Sequence, residues 1–216
     1  MVDTAYQWTN VMQEVTDTNL FASSYVNENA GWVVGAGGNI LFYDGAEFIE
    51  QISPATNALY AIDMIDTNNG WAIGESGTIV FFDDTVWVEH VQTTPVTKDL
   101  KGIAMIDANL GYAVGEDGII LKFDGTEWNE EDSPVSNLLS AITVVEPNNI
   151  WAVGEDGTIV HYDGTAWTEE TSPSTKDLYC ISFADANNGW IGGRMESCCS
   201  LTVLTGLKWR LIQGLT

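Results

Sequence analysis

Residues 151–167 read Trp-Ala-Val-Gly-Glu-Asp-Gly-Thr-Ile-Val-His-Tyr-Asp-Gly-Thr-Ala-Trp, and variants of this stretch recur through the chain. Most copies begin with a small residue, which is followed by an aromatic residue, two apolar residues and glycine. A glycine-containing turn, an apolar run, Asp-Gly and tryptophan usually follow. A fixed period near 40 residues predicts a repeat architecture. The copies begin at Gly31, Gly70, Gly111, Ile150 and Gly189, which lie 39, 41, 39 and 39 residues apart.

Each repeat carries signals for four short strands. In the second repeat these are Leu59–Ile65, Gly70–Gly74, Thr78–Phe82 and a strand that starts at Trp87. Turns rich in Asp, Asn and Gly separate them, and no helix signal is present. Four strands per repeat are typical of a propeller blade. We therefore predict an all-β fold, a five-bladed β-propeller of four-stranded antiparallel blades. The repeat units span about residues 20–48, 59–87, 100–128, 139–167 and 178–209 of a single domain, 1–216.

The nine tryptophans fall into two columns of the repeat. A buried tryptophan removes a large apolar area from water, and its recurrence in register indicates packing between adjacent blades. Cys180 is likewise expected to be a small core residue. The second-strand column holds Trp32, Trp71, Trp151 and Trp190, and the fourth-strand column holds Trp8, Trp87, Trp128, Trp167 and Trp209.

Residues 1–16 are predicted to close the ring. Trp8 precedes the first complete repeat, so residues 5–14 resemble a spare outer strand that would pair with the last blade. The alternative is that the chain is part of a larger propeller, whose exposed edge would invite pairing with another molecule.

Composition narrows the possible partners. The chain has 31 acidic and 7 basic side chains, a formal net charge of −24. Such a surface repels phosphate, so we expect neither nucleic acid nor an anionic membrane as partner. A basic protein patch, a cation or a neutral glycan remains compatible, as does a charge that only solvates the surface.

Sequence features bearing on location are few. No apolar run approaches the roughly 18 residues of a membrane span, so no membrane insertion is expected. The first ten residues have no basic or apolar segment typical of a signal peptide. A secreted or surface location fits the composition, and we expect a monomeric domain, alone or within a larger polypeptide.

The stretches 70–87 and 151–167 resemble the bacterial BNR or Asp-box repeat, which occurs in sialidase-like propellers and in the propeller assembly factors of photosystem II. The usual Ser-x-Asp-x-Gly-x-x-Trp is shortened here to x-x-Asp-Gly-x-x-Trp. In the family this box is a structural turn. The resemblance therefore implies that Asp44, Asp124 and Asp163 hold the fold together.

The resemblance does not transfer an activity. A sialidase-like site would imply an arginine cluster with a tyrosine nucleophile and acidic helpers, but this chain has only Arg194 and Arg210. A photosystem assembly factor of this type would imply a basic patch, and seven scattered basic residues argue against that role. We predict that the chain is not an enzyme and has no catalytic residues.

Candidate binding residues lie in the turns between second and third strands, which in this strand order share a face with the loops between blades. A ring of carboxylates there could attract a calcium ion, which prefers oxygen ligands. Equal spacing around a ring would keep the acids too far apart to share one ion, so no metal or cofactor is predicted, with structural calcium as the alternative. The acids of this face are Glu75, Glu116, Asp117, Glu155 and Asp156.

The fifth repeat departs from the pattern at the same turn. It supplies Arg194, Met195 and Glu196, followed by the adjacent Cys198 and Cys199. A binding loop is one interpretation, because loops on a rigid scaffold carry recognition. The other is the atypical sequence of a terminal repeat.

These observations predict a non-catalytic recognition or scaffold propeller that binds a protein or glycan through loops on one acidic face. The alternative is a structural component of a virion or extracellular filament, and a glycoside hydrolase is the third possibility.

Overall fold

The computed structural model describes residues 16–93, 96–194, 198–203 and 207–211, the last two ranges by their backbone alone. The closing strand predicted over residues 1–16 therefore lies, except for Thr16, outside the described residues. The same holds for Trp8.

The described residues form five four-stranded antiparallel sheets, each a simple meander, which we call blades 1 to 5. The strands are β1 Leu20–Asn27, β2 Ala30–Gly35, β3 Ile40–Tyr43 and β4 Phe48–Glu50 in blade 1; β5 Leu59–Met64, β6 Asn69–Gly74, β7 Ile79–Asp83 and β8 Trp87–Glu89 in blade 2; β9 Leu100–Asp107, β10 Leu110–Gly115, β11 Ile120–Phe123 and β12 Trp128–Glu130 in blade 3; β13 Leu139–Glu146, β14 Asn149–Gly154, β15 Ile159–Tyr162 and β16 Trp167–Glu169 in blade 4; and β17 Leu178–Asp185, β18 Asn188–Gly193, β19 Cys198–Val203 and β20 Leu207–Leu211 in blade 5.

The strand positions agree with the repeat period. First strands begin at the predicted leucines, and the short outer strands of blades 1 to 4 begin at the predicted aromatic residues. In the described residues the only helical segments are four single 3₁₀ turns, one between the second and third strands of each of these blades. The prediction of an all-β propeller of four-stranded antiparallel blades is confirmed.

Consecutive blades pack face to face through their first and second strands, as β1, β5, β9, β13 and β17 lie side by side. Each interface holds one apolar cluster. Between blades 3 and 4, Tyr112 and Ile120 pack with Leu139, Ala152 and Trp167. Within the described residues, β17 and β1 do not pack against each other in this way. The core is therefore a series of layers between blades.

The tryptophan columns are buried where a blade follows. Trp32, Trp71 and Trp151 of the second-strand column are 2%, 7% and 2% exposed, and Tyr112 takes the same position in blade 3 at 1%. The fourth-strand residues Trp87, Trp128 and Trp167 are also buried. For these residues the packing prediction is confirmed.

Trp190 and Cys180 contradict the core assignment. Trp190 is 49% exposed although it is equivalent to Trp151, and Cys180 is exposed. The buried residues of these two strands, such as Ile191, face blade 4, whereas Trp190 lies on the opposite side. No blade in the described residues packs against that side, so the aromatic ring keeps contact with water.

The two tryptophans give a matched test of interblade packing. Trp151→Ala should lower the free energy of unfolding by about 3–5 kcal/mol, because it empties a filled position between two blades. Trp190→Ala should lose less than half as much, because the ring is already half in water. Urea midpoints of both variants measure the difference, and equal losses would contradict the interblade model.

Candidate functional site

The candidate site is built on the four 3₁₀ turns and on the loops between consecutive blades. We call these turns and loops the turn face. The turns are Ala36–Gly38, Glu75–Gly77, Glu116–Gly118 and Glu155–Gly157. The middle residues Ser76, Asp117 and Asp156 adopt left-handed φ values of 54°, 53° and 53°. Aspartate tolerates this conformation better than most residues. The predicted tight hairpins are therefore slightly longer turns with a defined backbone.

Each turn is pressed against the loop that leads to the next blade. Gly77 and Gly157 have φ values of 72° and 76°, and a Cβ at these positions would lie 2.0 Å and 1.9 Å from the carbonyl oxygens of Val96 and Ser174. Only glycine fits such an approach. The turn face is therefore rigidly attached to the neighbouring blade.

Two aspartates reinforce that attachment. Asp99, just before β9, accepts a hydrogen bond of 2.9 Å from the backbone N–H of Ser76 in blade 2. Asp177, just before β17, accepts one of 3.2 Å from the N–H of Asp156 in blade 4. Burial raises the pKa of Asp99, but hydrogen bonds from Lys101 and Ser76 outweigh it, so the pKa lies below its ordinary value.

The predicted acids have different surroundings. Glu75 and Glu116 each accept a backbone N–H at the start of their own blade's first strand, at 3.3 Å from Ala58 and 3.1 Å from Asp99. Part of their role is therefore structural. Asp117 is exposed and meets Lys98, with 3.6 Å between Oδ2 and Nζ.

Only some of these acids converge. Glu116, Asp117 and Glu155 line one groove of about 480 Å³ across blades 3 and 4, together with Ser136, Asn137 and Leu138. Glu75 lies in blade 2, outside this groove. Asp156 faces a neighbouring cleft with Glu169 and Glu170. We call the first of these the acidic groove.

Of the turn in which the fifth repeat departs from the common sequence, the structure describes Arg194 but not the next three residues. Arg194 is exposed directly after β18, and its guanidinium lies 3.8 Å from Asp177. It therefore belongs to the turn face, near the anchor of blade 5. Met195 and Glu196 lie outside the described residues. The interpretation that they form a binding loop with Arg194 therefore stays a prediction. The side chains of Cys198 and Cys199 also lie outside.

The Asp-Gly turns lie at the opposite end of the blades. Asp44 Oδ1 accepts the N–H groups of Ala46 and Glu47, both at 2.9 Å. Asp124 and Asp163 do the same two and three residues onward. The Thr165 hydroxyl also donates to Asp163 and contributes most to its pKa shift, whereas the Glu127 N–H contributes most to that of Asp124. Together these bonds stabilise the charged form and lower the pKa of Asp124 and of Asp163 to about 2. The three aspartates therefore close turns, as expected of fold-holding residues.

In residues 16–93 and 96–194, whose side chains the structure describes, no group of three or more His, Cys, Asp or Glu residues is arranged to hold a metal ion. Backbone oxygens also bind calcium, so structural calcium stays a hypothesis. No helix in these ranges has the length and apolarity to cross a membrane.

Sequence reasoning missed a row of residues on the first strands. The residue after the leading leucine is skipped in the strand pairing of every blade, which makes it a β-bulge. Bulges re-aim side chains. Their shared position, directly after the leading leucine of each repeat, was the feature of the sequence that could have identified them. The row consists of Phe21, Tyr60, Lys101, Ser140 and Tyr179 and is called the inner row below.

Comparison with protein families identifies the family to which the chain belongs. The family model described as photosynthesis system II assembly factor YCF48 matches residues 3–124, more than half of the 216 residues. The chain belongs to the YCF48 family. The predicted BNR-type propeller is thereby confirmed. No curated protein sequence matches the chain significantly.

Solved structures show the same fold at low identity. The WD40 β-propeller domain of Doa1 superposes with a TM-score of 0.75 and 10% identity, covering 92% of this chain and 69% of that one. The computationally designed Ika8 protein gives a TM-score of 0.71 and 18% identity, covering 88% of this chain and 61% of that one. This YCF48 family member therefore spans less than two thirds of the designed protein.

A YCF48 structure with bound D1 peptide shares 12% identity with this chain and covers 83% of this chain and 92% of that one. Its TM-score is 0.49, at which the superposition supports no inference about this chain.

The Asp-Gly turns should make the stability of the fold depend on pH in the acid range. Because the pKa of Asp124 and Asp163 falls from 3.8 to about 2 on folding, their contribution to stability is complete above about pH 4 and disappears as the pH falls through 2. In the double variant Asp124→Asn, Asp163→Asn, the loss of stability over this range should be smaller, because asparagine accepts the turn bonds without titrating. Urea midpoints between neutral pH and about pH 2 measure it.

The exposed Asp132 accepts none of these turn bonds and provides the control. Asp132→Asn should follow the acid response of the unmodified chain. The same acid response in the double variant would show that the turn aspartates are not responsible.

Proposed function

We propose that this chain is a non-catalytic scaffold that binds a segment of a protein partner on its turn face. The observation that carries the proposal is the match of residues 3–124 to a family described as an assembly factor. An assembly factor acts on other proteins, so a polypeptide is the partner class that the family membership favours. Monomeric state and a secreted or surface location stay predictions.

The build of the turn face supports this proposal. Its turns are fixed by glycine contacts with the next loop and by hydrogen bonds to Asp99 and Asp177. Loops held by a rigid scaffold lose little conformational entropy on binding. The acidic groove offers a concave surface that crosses two blades, as an extended segment requires.

Charge indicates what kind of segment fits. The groove presents carboxylates from Glu116, Asp117 and Glu155, and the chain as a whole carries a formal charge of −24. Complementary charge accelerates association and excludes acidic partners. We therefore propose a segment rich in lysine and arginine.

The two histidines of the chain favour packing roles over catalytic ones. The His161 ring stacks on Trp151 with 4.0 Å between ring centroids, and its Nε2 lies 3.0 Å from Asn149 Oδ1. His90 lies among the rings of Trp71, Phe81 and Phe123. Burial lowers the pKa of both histidines, which favours their neutral forms.

Binding of a labelled lysine- and arginine-rich peptide, followed by fluorescence anisotropy, tests the proposal. Asp117→Asn with Glu155→Gln should weaken binding about three- to ten-fold at low salt, because two exposed charges of the acidic groove are lost. Asparagine also tolerates the left-handed turn. Added salt should weaken binding to the unmodified chain, since exposed charges are screened.

The control is Glu28→Gln with Glu146→Gln, which removes the same charge from exposed residues at the opposite end of the blades, one in a turn and one at the end of β13. If both double variants bind alike, the turn face is not the binding surface. No binding by the unmodified chain would reject a basic partner. Salt-independent binding of a neutral oligosaccharide instead would favour the glycan alternative.

A further inference from the structure

The inner row contains an internal complex between a cation and an aromatic ring. The Lys101 ammonium of blade 3 lies 3.7 Å from the ring centroid of Tyr60 in blade 2. Its Nζ also donates a hydrogen bond of 2.8 Å to Asp99 Oδ2. A cation held between a ring face and a carboxylate gains from both contacts. The chain therefore demonstrates which chemistry this position accepts.

The aromatic surface extends to blade 1. The ring of Phe21 lies 5.6 Å from that of Tyr60, and Phe21 is 47% exposed. Both residues occupy bulges at the end of the first strand that adjoins the turn face. Phe21 therefore extends the ring surface of Tyr60, which already holds a cation.

Blade 5 repeats part of this arrangement. Tyr179 is 55% exposed and donates a hydrogen bond of 3.3 Å to Asp177 Oδ2. Asp177 is the counterpart of Asp99, so a ring and a carboxylate are again adjacent. The inner row thus combines three aromatic rings with two carboxylates beside it.

We propose that the inner row is a binding site for a lysine or arginine side chain of the polypeptide partner, and that Lys101 occupies part of this site from within. The inference rests on the proposed function and names the residue type that is recognised. Arginine fits best, because its planar guanidinium stacks on rings while it pairs with carboxylates. A second copy of this chain is a poor occupant, since two molecules of charge −24 repel each other.

The site is within reach of a segment in the acidic groove. Leu138 lines the groove, and Ser140, two residues onward, belongs to the inner row. An extended residue spans about 3.3 Å, so a partner bound along the groove meets the inner row about two residues beyond it, at Ser140 in the blade next to that of Lys101. The acidic groove attracts the basic segment as a whole, and the inner row selects one arginine or lysine side chain of that segment.

Lys101→Ala provides the sharpest test, because it removes an internal competitor and should strengthen binding. With N-acetyl tetra-arginine amide as probe, we expect affinity to rise about three-fold or more when the Tyr60 face and Asp99 become free. Lys122→Ala removes the same charge from β11 and should change affinity less than half as much. Isothermal titration calorimetry measures both, and thermal melting verifies that each variant is folded.

The aromatic contribution is tested by Phe21→Leu, which keeps an apolar side chain but removes the ring. This variant should weaken tetra-arginine binding about three-fold, whereas Ile52→Ala, at a residue that is 91% exposed, should not. A tetra-citrulline probe, which has the same shape without charge, should bind to none of the variants.

The outcomes separate the two proposals. If tetra-arginine binds and the turn-face variant weakens it, but Lys101→Ala matches Lys122→Ala and Phe21→Leu matches the unmodified chain, the inner-row site is rejected and the proposed function stands. If neither basic probe binds the unmodified chain, both are rejected. If the inner-row variants respond as expected while the turn-face variant does not, the inner row is the recognition site without the groove.

Discussion

The contact on which the whole structure depends is the insertion of one second-strand aromatic ring into the apolar face of the next blade. Trp32, Trp71, Tyr112 and Trp151 each make this contact, and each is almost completely buried. A single four-stranded sheet of this size cannot bury its own apolar face, so each blade is stabilised by its neighbours. The turns at Ser76 and Asp156 are positioned by this stacking, because they are anchored to the next blade through Asp99 and Asp177.

The two ends of the blades serve different purposes in this arrangement. At one end, the Asp-Gly turns use each carboxylate for backbone hydrogen bonds, which explains the depressed pKa of Asp124 and Asp163. At the other end, Asp117 and Asp156 keep their carboxylates exposed while their backbone is fixed. Aspartates of the same repeat thus bond to the backbone at one end and present exposed charge at the other.

The period of the sequence was enough to predict the blades, their strand starts and the buried tryptophans, because apolar pattern and turn residues act locally. The exposure of Trp190 was not predictable from its column, since burial depends on a neighbouring blade rather than on the residue itself. The predicted acids lie in the turns between second and third strands, but the pattern did not reveal which of them converge. Lys101 was missed because a β-bulge, invisible in the alternation, turns it toward Tyr60.

The half-exposed Trp190 has a consequence for how the molecule moves. Blades 2, 3 and 4 are held on both sides, whereas blade 5 is held in the described residues by the cluster with blade 4 alone, around Trp151, Leu178 and Ile191. In a stack with nearest-neighbour coupling, an outer unit opens at a lower free energy than the units between. Amide hydrogens of β17 and β18 should thus exchange with solvent earlier than those of β9 and β10 in the central blade.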